Sequence, residues 1–219
     1  MNQLKASTQA LKRQKEARKN TMVQHALILF CEQGIEATTF NDVASASSLG
    51  VASAFRYFES KHHLVIEAST LMWRQLLDEV KASFPSQFNT YTGLEQIRFI
   101  LNLFKSFYLT QPAYFRFIEE FDQYVLTHQL SQTMLKDYEH HVLSFQPLMI
   151  AMIEKGKHDH SIRQELDSML LYLTITHQLM SLISKLVSRG HVLSSDDMIS
   201  GEAQLECVMD MIVSYIQQS

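Results

Sequence analysis

The amino-acid sequence predicts an all-α protein, and three observations carry that prediction. Among 219 residues there are only 6 Gly and 3 Pro, few for a chain of strands and tight turns, whereas helix interiors avoid both. Apolar residues recur at three- and four-residue spacing over most of the length, the period of an amphipathic helix. Glycine and proline fall where that periodicity stops, so they separate elements. About nine helices and no strand are expected.

The elements follow in order. From Val23, apolar residues recur at Ala26, Leu27 and Phe30, and Gly34 stands where a left-handed residue would end that helix. Thr38 and Thr39 can cap a second helix running to about Ala46. The small-residue turn Ser47-Ser48-Leu49-Gly50 leads to a third helix, Val51 to Phe58. Ser60 caps a fourth, which continues through Leu64, Ala68, Leu71 and Trp73 towards Val80. Pro85 and the polar stretch Ser86 to Thr92 interrupt the chain before a buried helix, Glu95 to Leu109. Pro112 suits the first turn of the next helix, which runs through Tyr124. Ser131 to Lys155 reads as one long helix that Pro147 must kink or split, with Gly156 as its end. In the following helix Leu166, Met169, Leu170, Leu173, His177 and Met180 line one face. Leu171, Ile175, Leu179, Leu182 and Leu186 line much of the rest, so this helix needs cover on two sides. Gly190 ends it, and a last helix carries Leu205, Val208, Met209, Ile212, Val213 and Ile216.

Composition narrows the class further. Hydrophobic residues make up 46% and charged residues 19%, the balance of a folded globular protein. No apolar run reaches the roughly 18–20 residues that span a bilayer, and Met1 to Asn20 lacks the apolar core of a secretion signal, so a cytoplasmic protein off the membrane is expected. Cys31 and Cys207 lie too far apart in sequence for a CxxC or zinc knuckle and read as reduced, buried small hydrophobes. The net charge of −4 conceals a division: Met1 to Lys61 carries eight basic and five acidic residues, and the remainder amounts to −7. A basic front end on an acidic body points to a polyanion at the front alone. Its arm, Lys12-Arg13-Gln14-Lys15 with Arg18-Lys19, suits a neighbouring phosphate or the minor groove, or is a solvated tail.

The strongest signal lies between Thr21 and Leu64, where three short helices joined by tight turns form a helix-turn-helix. In such modules the second helix of the pair enters the major groove. Ala52, Ser53 and Ala54 permit close approach to DNA, while Arg56 and Tyr57 have the reach to meet it. The stretches Phe30-Cys31-Glu32-Gln33-Gly34, Ala37-Thr38-Thr39 and Val43-Ala44 resemble the first helix, turn and second helix of the TetR/AcrR family. Phe55-Arg56-Tyr57-Phe58-Glu59-Ser60-Lys61-His62-His63-Leu64 resembles its aromatic-x-aromatic-Phe-x-Ser-Lys-x-x-Leu signature. The resemblance implies phosphate contact by Thr39, a backbone or base contact by Asn41, groove-facing Ser53 and Arg56, and a phosphate clamp of Tyr57 and Lys61. Arg56 is also the best donor pair for guanine O6 and N7. Phe30, Val43, Phe55 and Phe58 are expected to form the small core of the module. Four positions depart from the family pattern: Ser48 and Ala52 stand where glycine is frequent, Gly50 where a capping Ser or Thr is usual, and Phe55 where Tyr is frequent, so that Phe55 keeps the packing but offers no hydroxyl to phosphate.

Beyond Leu64 there is no motif. The resemblance implies that residues 65–219 bind a small-molecule effector and dimerise, after an operator-binding domain at 1–64. Helices apolar on more than one face suit a four-helix interface between two copies, and such a dimer presents two recognition helices to a palindromic site. Pockets are mostly apolar with a few polar groups, so Phe104, Tyr108, Phe121 and Met149 are candidate lining residues. Gln123, His141, Tyr172 and His177 are the polar candidates. His158-Asp159-His160 is the most plausible metal-binding stretch, but no spaced ligand set accompanies it and no metal or cofactor is assigned. Phosphate loop, GxSxG and HExxH motifs are absent, so no enzyme is expected. The reading that follows is a ligand-responsive repressor; a helical interaction protein on the same fold is the alternative.

Overall fold

The computed structural model of the chain describes residues 2–189 and 192–218; Gly190, read above as a helix stop, lies outside the described residues. The described chain is all-α: α1 (Asn2–Gln33), α2 (Phe40–Ala46), α3 (Val51–Ala54), α4 (Lys61–Ala82), α5 (Gly93–Thr110), α6 (Pro112–Thr127), α7 (Gln132–Leu143), α8 (Gln146–His158), α9 (Ser168–Arg189) and α10 (Gly201–Ile216). Short 3₁₀ turns occur at Phe88–Thr90 and Ser194–Asp197, and an isolated bridge pairs Ile162 with Gln217. The stretch expected as one long helix is split into α7 and α8. Pro147 lies in the first turn of α8, where its missing N–H leaves no helical bond unmade.

Three boundaries differ from expectation. Helix α1 begins at Asn2 rather than near Val23, because its first twenty residues hold no Gly or Pro and are rich in Lys, Arg, Gln and Ala, all good helix formers. Helix α3 is one turn long and does not reach Phe58. Its successors Arg56 and Tyr57 donate to carbonyls three residues back, Ser53 and Ala54, at 3.1 and 2.9 Å. Gly156 does not end a helix; it lies buried inside α8.

By packing, the chain divides into two compact units: Met1–Gln75 with Glu120–Glu139, and Leu76–Glu119 with His140–Ser219. The first unit builds its core from Met22, Ala26 and Phe30 of α1, Val43 and Ala44 of α2, Ala54, and Leu64 and Ala68 of α4. Phe121 and Tyr124, on the part of α6 that belongs to this unit, are also buried. The Tyr138 ring lies tilted against Phe121 with centroids 4.6 Å apart, and its hydroxyl accepts a 3.3 Å hydrogen bond from Trp73 Nε1; burial pushes its phenol well up.

In the second unit α5 packs on α8, and α9 and α10 complete the bundle. Helix α5 starts with a capping box between Thr92 and Glu95. Two further donors of its first turn are satisfied from the loop after α8: Gly93 N–H donates to Asp159 at 2.8 Å and Leu94 N–H to Ser161 Oγ at 3.1 Å. Asp159, the acid of the His-Asp-His stretch, is thus engaged as a helix cap. Gly93 and Gly156 let the α5 and α8 backbones come into direct contact, with no room for a Cβ on Gly93.

Helix α9 buries Leu171, Ile175, Leu179 and Ile183 and leaves Leu170 and Leu173 66% and 41% exposed. Length and composition make it the one helix among the described residues apolar enough to cross a membrane, a property spread along the helix and not confined to an uninterrupted apolar run. Cys31 is half-buried and Cys207 exposed, so the expectation that both are buried fails for Cys207. It lies on α10, whose buried residues are Leu205, Met209, Ile212, Val213 and Ile216, and position 207 falls between those turns.

Candidate nucleic-acid interface

The helix-turn-helix is held by local chemistry. Gly34 takes φ +89°, a conformation that glycine adopts without steric penalty, and its N–H still reaches Phe30 O at 3.0 Å. The next amide, Ile35 N–H, donates to Glu120 Oε2 at 2.8 Å, so a carboxylate from α6 satisfies the turn. Thr38 is fully buried and donates to Gly34 O at 2.8 Å. Thr39 is the N-cap of α2 in a capping box with Asp42. Its hydroxyl donates to Asp42 Oδ2 at 2.7 Å and accepts from Asp42 N–H at 3.2 Å. Hydrogen bonds from the Thr39 side chain and backbone hold the Asp42 carboxyl below its usual pKa.

Helix α2 ends in a Schellman arrangement: Ser48 N–H bonds Ser45 O at 3.0 Å and Leu49 N–H bonds Ala44 O at 2.9 Å. Ser48 has φ +54°, the left-handed conformation that explains why glycine is frequent here in the resembled family. Ser48→Gly is therefore expected to raise stability by about 0.5–1 kcal/mol, the relieved strain less the extra freedom of unfolded glycine. Urea denaturation tests this, and a loss of stability would contradict it. Gly50 is the N-cap of α3 without a side-chain bond, in line with its lost Ser or Thr.

The expected mini-core holds at Phe30, Val43 and Phe58, but not at Phe55, which is 53% exposed. Ala54 and Phe58 point inward at i, i+4 spacing, so the intervening Phe55 is rotated by about 100° from that face. It stacks instead on Phe40, with ring centroids 4.3 Å apart and planes at 19°. This pair ties the start of α2 to the end of α3, and so brings Thr39 and Asn41 into the neighbourhood of Arg56. Thr39, Asn41 and Arg56 are exposed, while Ser53 and Tyr57 are half-buried. Sequence reasoning missed the stacking of the half-buried Phe40 on the exposed Phe55; two aromatics flanking the polar contacts were the available signal.

Lys61 stands apart from this group. Its Nζ lies 3.3 Å from Glu36 O, 3.9 Å from the Glu36 carboxylate and 5.8 Å from the centre of the Tyr124 ring. Burial lowers its pKa, partly offset by Glu36. The surroundings form a polar cluster: His128 Nε2 meets Glu36 Oε1 at 2.8 Å, and His62 Nδ1 meets Tyr124 Oη at 2.8 Å. Burial first, then the neighbouring cation-forming groups, hold His62 below the usual histidine value, and burial pushes the Tyr124 phenol up to about 12. In this structure Lys61 braces the start of α4 against the α1–α2 turn.

The eight candidate effector residues divide between the two units. Phe121 and Gln123 belong to the first unit, the other six to the second. Gln123 and His177 are exposed, Met149 and Tyr172 buried, and Phe104, Tyr108 and His141 half-buried. Phe104 meets Phe145 edge-on at 6.2 Å, and burial raises the Tyr172 phenol. The second unit has a groove of about 260 Å³ between α5 and α10, lined by Arg98, Asn102, Lys105, Glu206 and Met209 among others. None of the eight lines it. Lys105 already pairs there with Glu206 at 2.8 Å and Glu202 at 3.5 Å, so this groove is a salt-bridged seam.

Known proteins share this segment and this fold. Residues 23–68, from within α1 to within α4, match the family described as bacterial regulatory proteins, tetR family. The HTH-type transcriptional repressor KstR2 of Rhodococcus jostii (strain RHA1) is 23% identical over 153 residues, covering 70% of this chain and 72% of the relative. Among solved structures, the fatty acid degradation regulator FadR of Bacillus halodurans superposes with a TM-score of 0.64 at 17% identity, over 90% of this chain and 94% of that one. The ketosteroid transcriptional regulator KstR2 of Mycobacterium tuberculosis does so with a TM-score of 0.55 at 16% identity, over 92% and 96%. The helix-turn-helix built around Gly34, Thr39 and the Phe40–Phe55 stack thus lies within the segment that matches the tetR family, and the chain carries the DNA-binding domain of a TetR-type regulator.

Proposed function

We propose that this regulator is a cytoplasmic homodimeric repressor that occupies a palindromic operator and leaves it when a small, largely apolar effector binds. Residues 1–64 are the operator-binding part and residues 65–219 the effector and dimerisation part, with residues 120–139 packed on the former. The observation that carries the reading is the exposed set of Thr39, Asn41 and Arg56 beside the Phe40–Phe55 stack. Arg56 makes no side-chain hydrogen bond or ion pair among the described residues, so its guanidinium is available to a base edge. Thr39 is available to phosphate on turning from Asp42. Tyr57 and Ser53 flank the same edge, and Lys61 would join as a clamp on release from Glu36.

The homodimer is supported by the uncovered apolar residues of the last two helices. Leu170 is 66% exposed on α9, and Met211 and Tyr215 are 60% and 57% exposed on α10. A second copy removes that surface from water, which a monomer cannot do. The apolar effector is supported by two neighbours in the fold whose names refer to fatty acid degradation and to ketosteroids. Phe104, Tyr108, Phe121, Gln123, His141, Met149, Tyr172 and His177 remain the candidates to line its site when it is bound. Effector binding then shifts the operator equilibrium by the difference in its affinity for the two states.

Titration of the purified protein with DNA upstream of its own gene, and with a random-sequence pool, tests the reading. One sequence should be bound well above the rest. In Arg56→Ala discrimination should fall by about 1–3 kcal/mol per half-site, the worth of a bidentate guanine contact. Unchanged sequence preference in that variant would remove Arg56 from the bases. A folded dimer that selects no sequence from the pool would favour a protein-interaction role instead.

A further inference from the structure

The N-terminal part of α1 lies outside the segment matched to the family, residues 23–68, and within the operator-binding part its residues carry no assigned contact. It is a continuous extension of the first helix of the helix-turn-helix. At 100° per residue, Lys12, Lys15, Arg18 and Lys19 fall within about 120° of its circumference. Glu16 is the single acid between positions 9 and 20. Lys12, Lys15 and Arg18 are exposed.

Lys19 sets the direction of this stripe. Its Nζ is bound to Glu67 of α4 at 2.6 Å and lies 5.5 Å from the centre of the Phe58 ring. Phe58 closes the recognition segment that begins at Val51, so the basic stripe is turned to the side on which that segment ends. Rigid helical attachment also removes most of the ordering cost that a flexible tail would meet on binding.

We infer that this stripe is a second DNA contact, a helical brace that follows duplex phosphates flanking the half-site. This rests on the operator-binding reading and extends it. The chemistry is charge complementarity: the stripe is about 10 Å long from Lys12 to Lys19, and B-DNA carries one negative charge per about 1.7 Å of axis. Lysine and arginine at exposed positions contact phosphate without regard to sequence, so the brace adds affinity and length of footprint, not discrimination. Leu11, 66% exposed, is the one large apolar residue between positions 9 and 20, too little to seat the stripe in a bilayer.

The test compares the full-length protein with K12Q/K15Q/R18Q, using both the selected operator fragment and a 40-base-pair duplex of arbitrary sequence. The slope of log affinity against log salt is expected to fall by about 0.9 for each phosphate that is no longer neutralised, about 2.7 per protomer. The protected footprint should shorten at its outer edges, and the ratio of operator to arbitrary-sequence affinity should stay the same. Charge-conserving K12R/K15R/R18K should restore slope and footprint. An unchanged slope on both duplexes in K12Q/K15Q/R18Q would overturn the inference, as would a fall in discrimination with footprint intact. Binding of phosphatidylserine vesicles by the parent chain, abolished in the variant while DNA affinity is unmoved, would also overturn it. If no operator is selected at all, the helix-turn-helix reading fails separately, and the arbitrary duplex still reads the stripe.

Discussion

In the proposed dimer, Leu170→Glu combined with Leu173→Glu is expected to separate the two copies and to abolish operator occupancy at working concentrations. Both leucines lie on the α9 face that this chain leaves uncovered, 66% and 41% exposed, while the opposite face buries Leu171, Ile175 and Leu179. Covering a leucine stabilises by roughly 1.5–3 kcal/mol. Two-fold symmetry places each substitution in the interface twice, so four leucines are removed per dimer, and four carboxylates enter an apolar contact where desolvation adds to the penalty. The dimer dissociation constant should rise by more than about 10⁴-fold. Operator affinity should fall with it, by about 10²–10⁴, because two linked recognition segments no longer bind as one. Sedimentation velocity and operator titration read the two effects. A double variant that stays dimeric with parental operator affinity would place the interface elsewhere, with the exposed Met211 and Tyr215 of α10 as the next surface to alter.

Gly93→Ala should destabilise the second unit by about 3 kcal/mol, at the upper end of ordinary overpacking. A Cβ at this position would collide with the backbone of Gly156 and with Met152 O, not with a flexible side-chain tip. Backbone cannot rotate away, so α5 and α8 must separate. That separation loosens Ile97, Ile100, Met149 and Ile153, all buried at 1% or less, and lengthens the bonds by which Asp159 and Ser161 cap α5. For a chain of this size the melting temperature should drop by roughly 6–12 °C. Gly50→Ala is the control: nothing lies within 4 Å of its Cβ, and its φ of −66° is open to any residue. Equal, near-neutral effects from the two substitutions would mean that the helices part at little cost.

Features written in adjacent residues were legible before the structure. Gly34 as a left-handed stop, Thr39 as the cap of α2 and the missing cap at Gly50 each depend on a few neighbours, and each is found where the spacing put it. Pro147 marked the division of α7 from α8 for the same reason. Phe55 was misplaced because Ala54 and Phe58 take the inward face, and Phe55 lies about 100° round from it. The residues proposed for the effector site share aromatic and polar character, but that character is equally suited to plain core, and they divide between two packing units.

From its sequence alone this protein was determined to be an all-α chain opening with a helix-turn-helix, since propensity, capping and turn chemistry act over a few residues. Tertiary structure decided what depends on distant partners. Glu120 crosses 85 positions to satisfy Ile35 N–H, Glu36 draws Lys61 inward, and Glu67 aligns the basic stripe through Lys19. Gly156 became a packing point because α5 lies against it, not a helix end. Each of these rests on which surfaces meet once the helices pack, and periodicity gives the direction of a face without naming what will cover it.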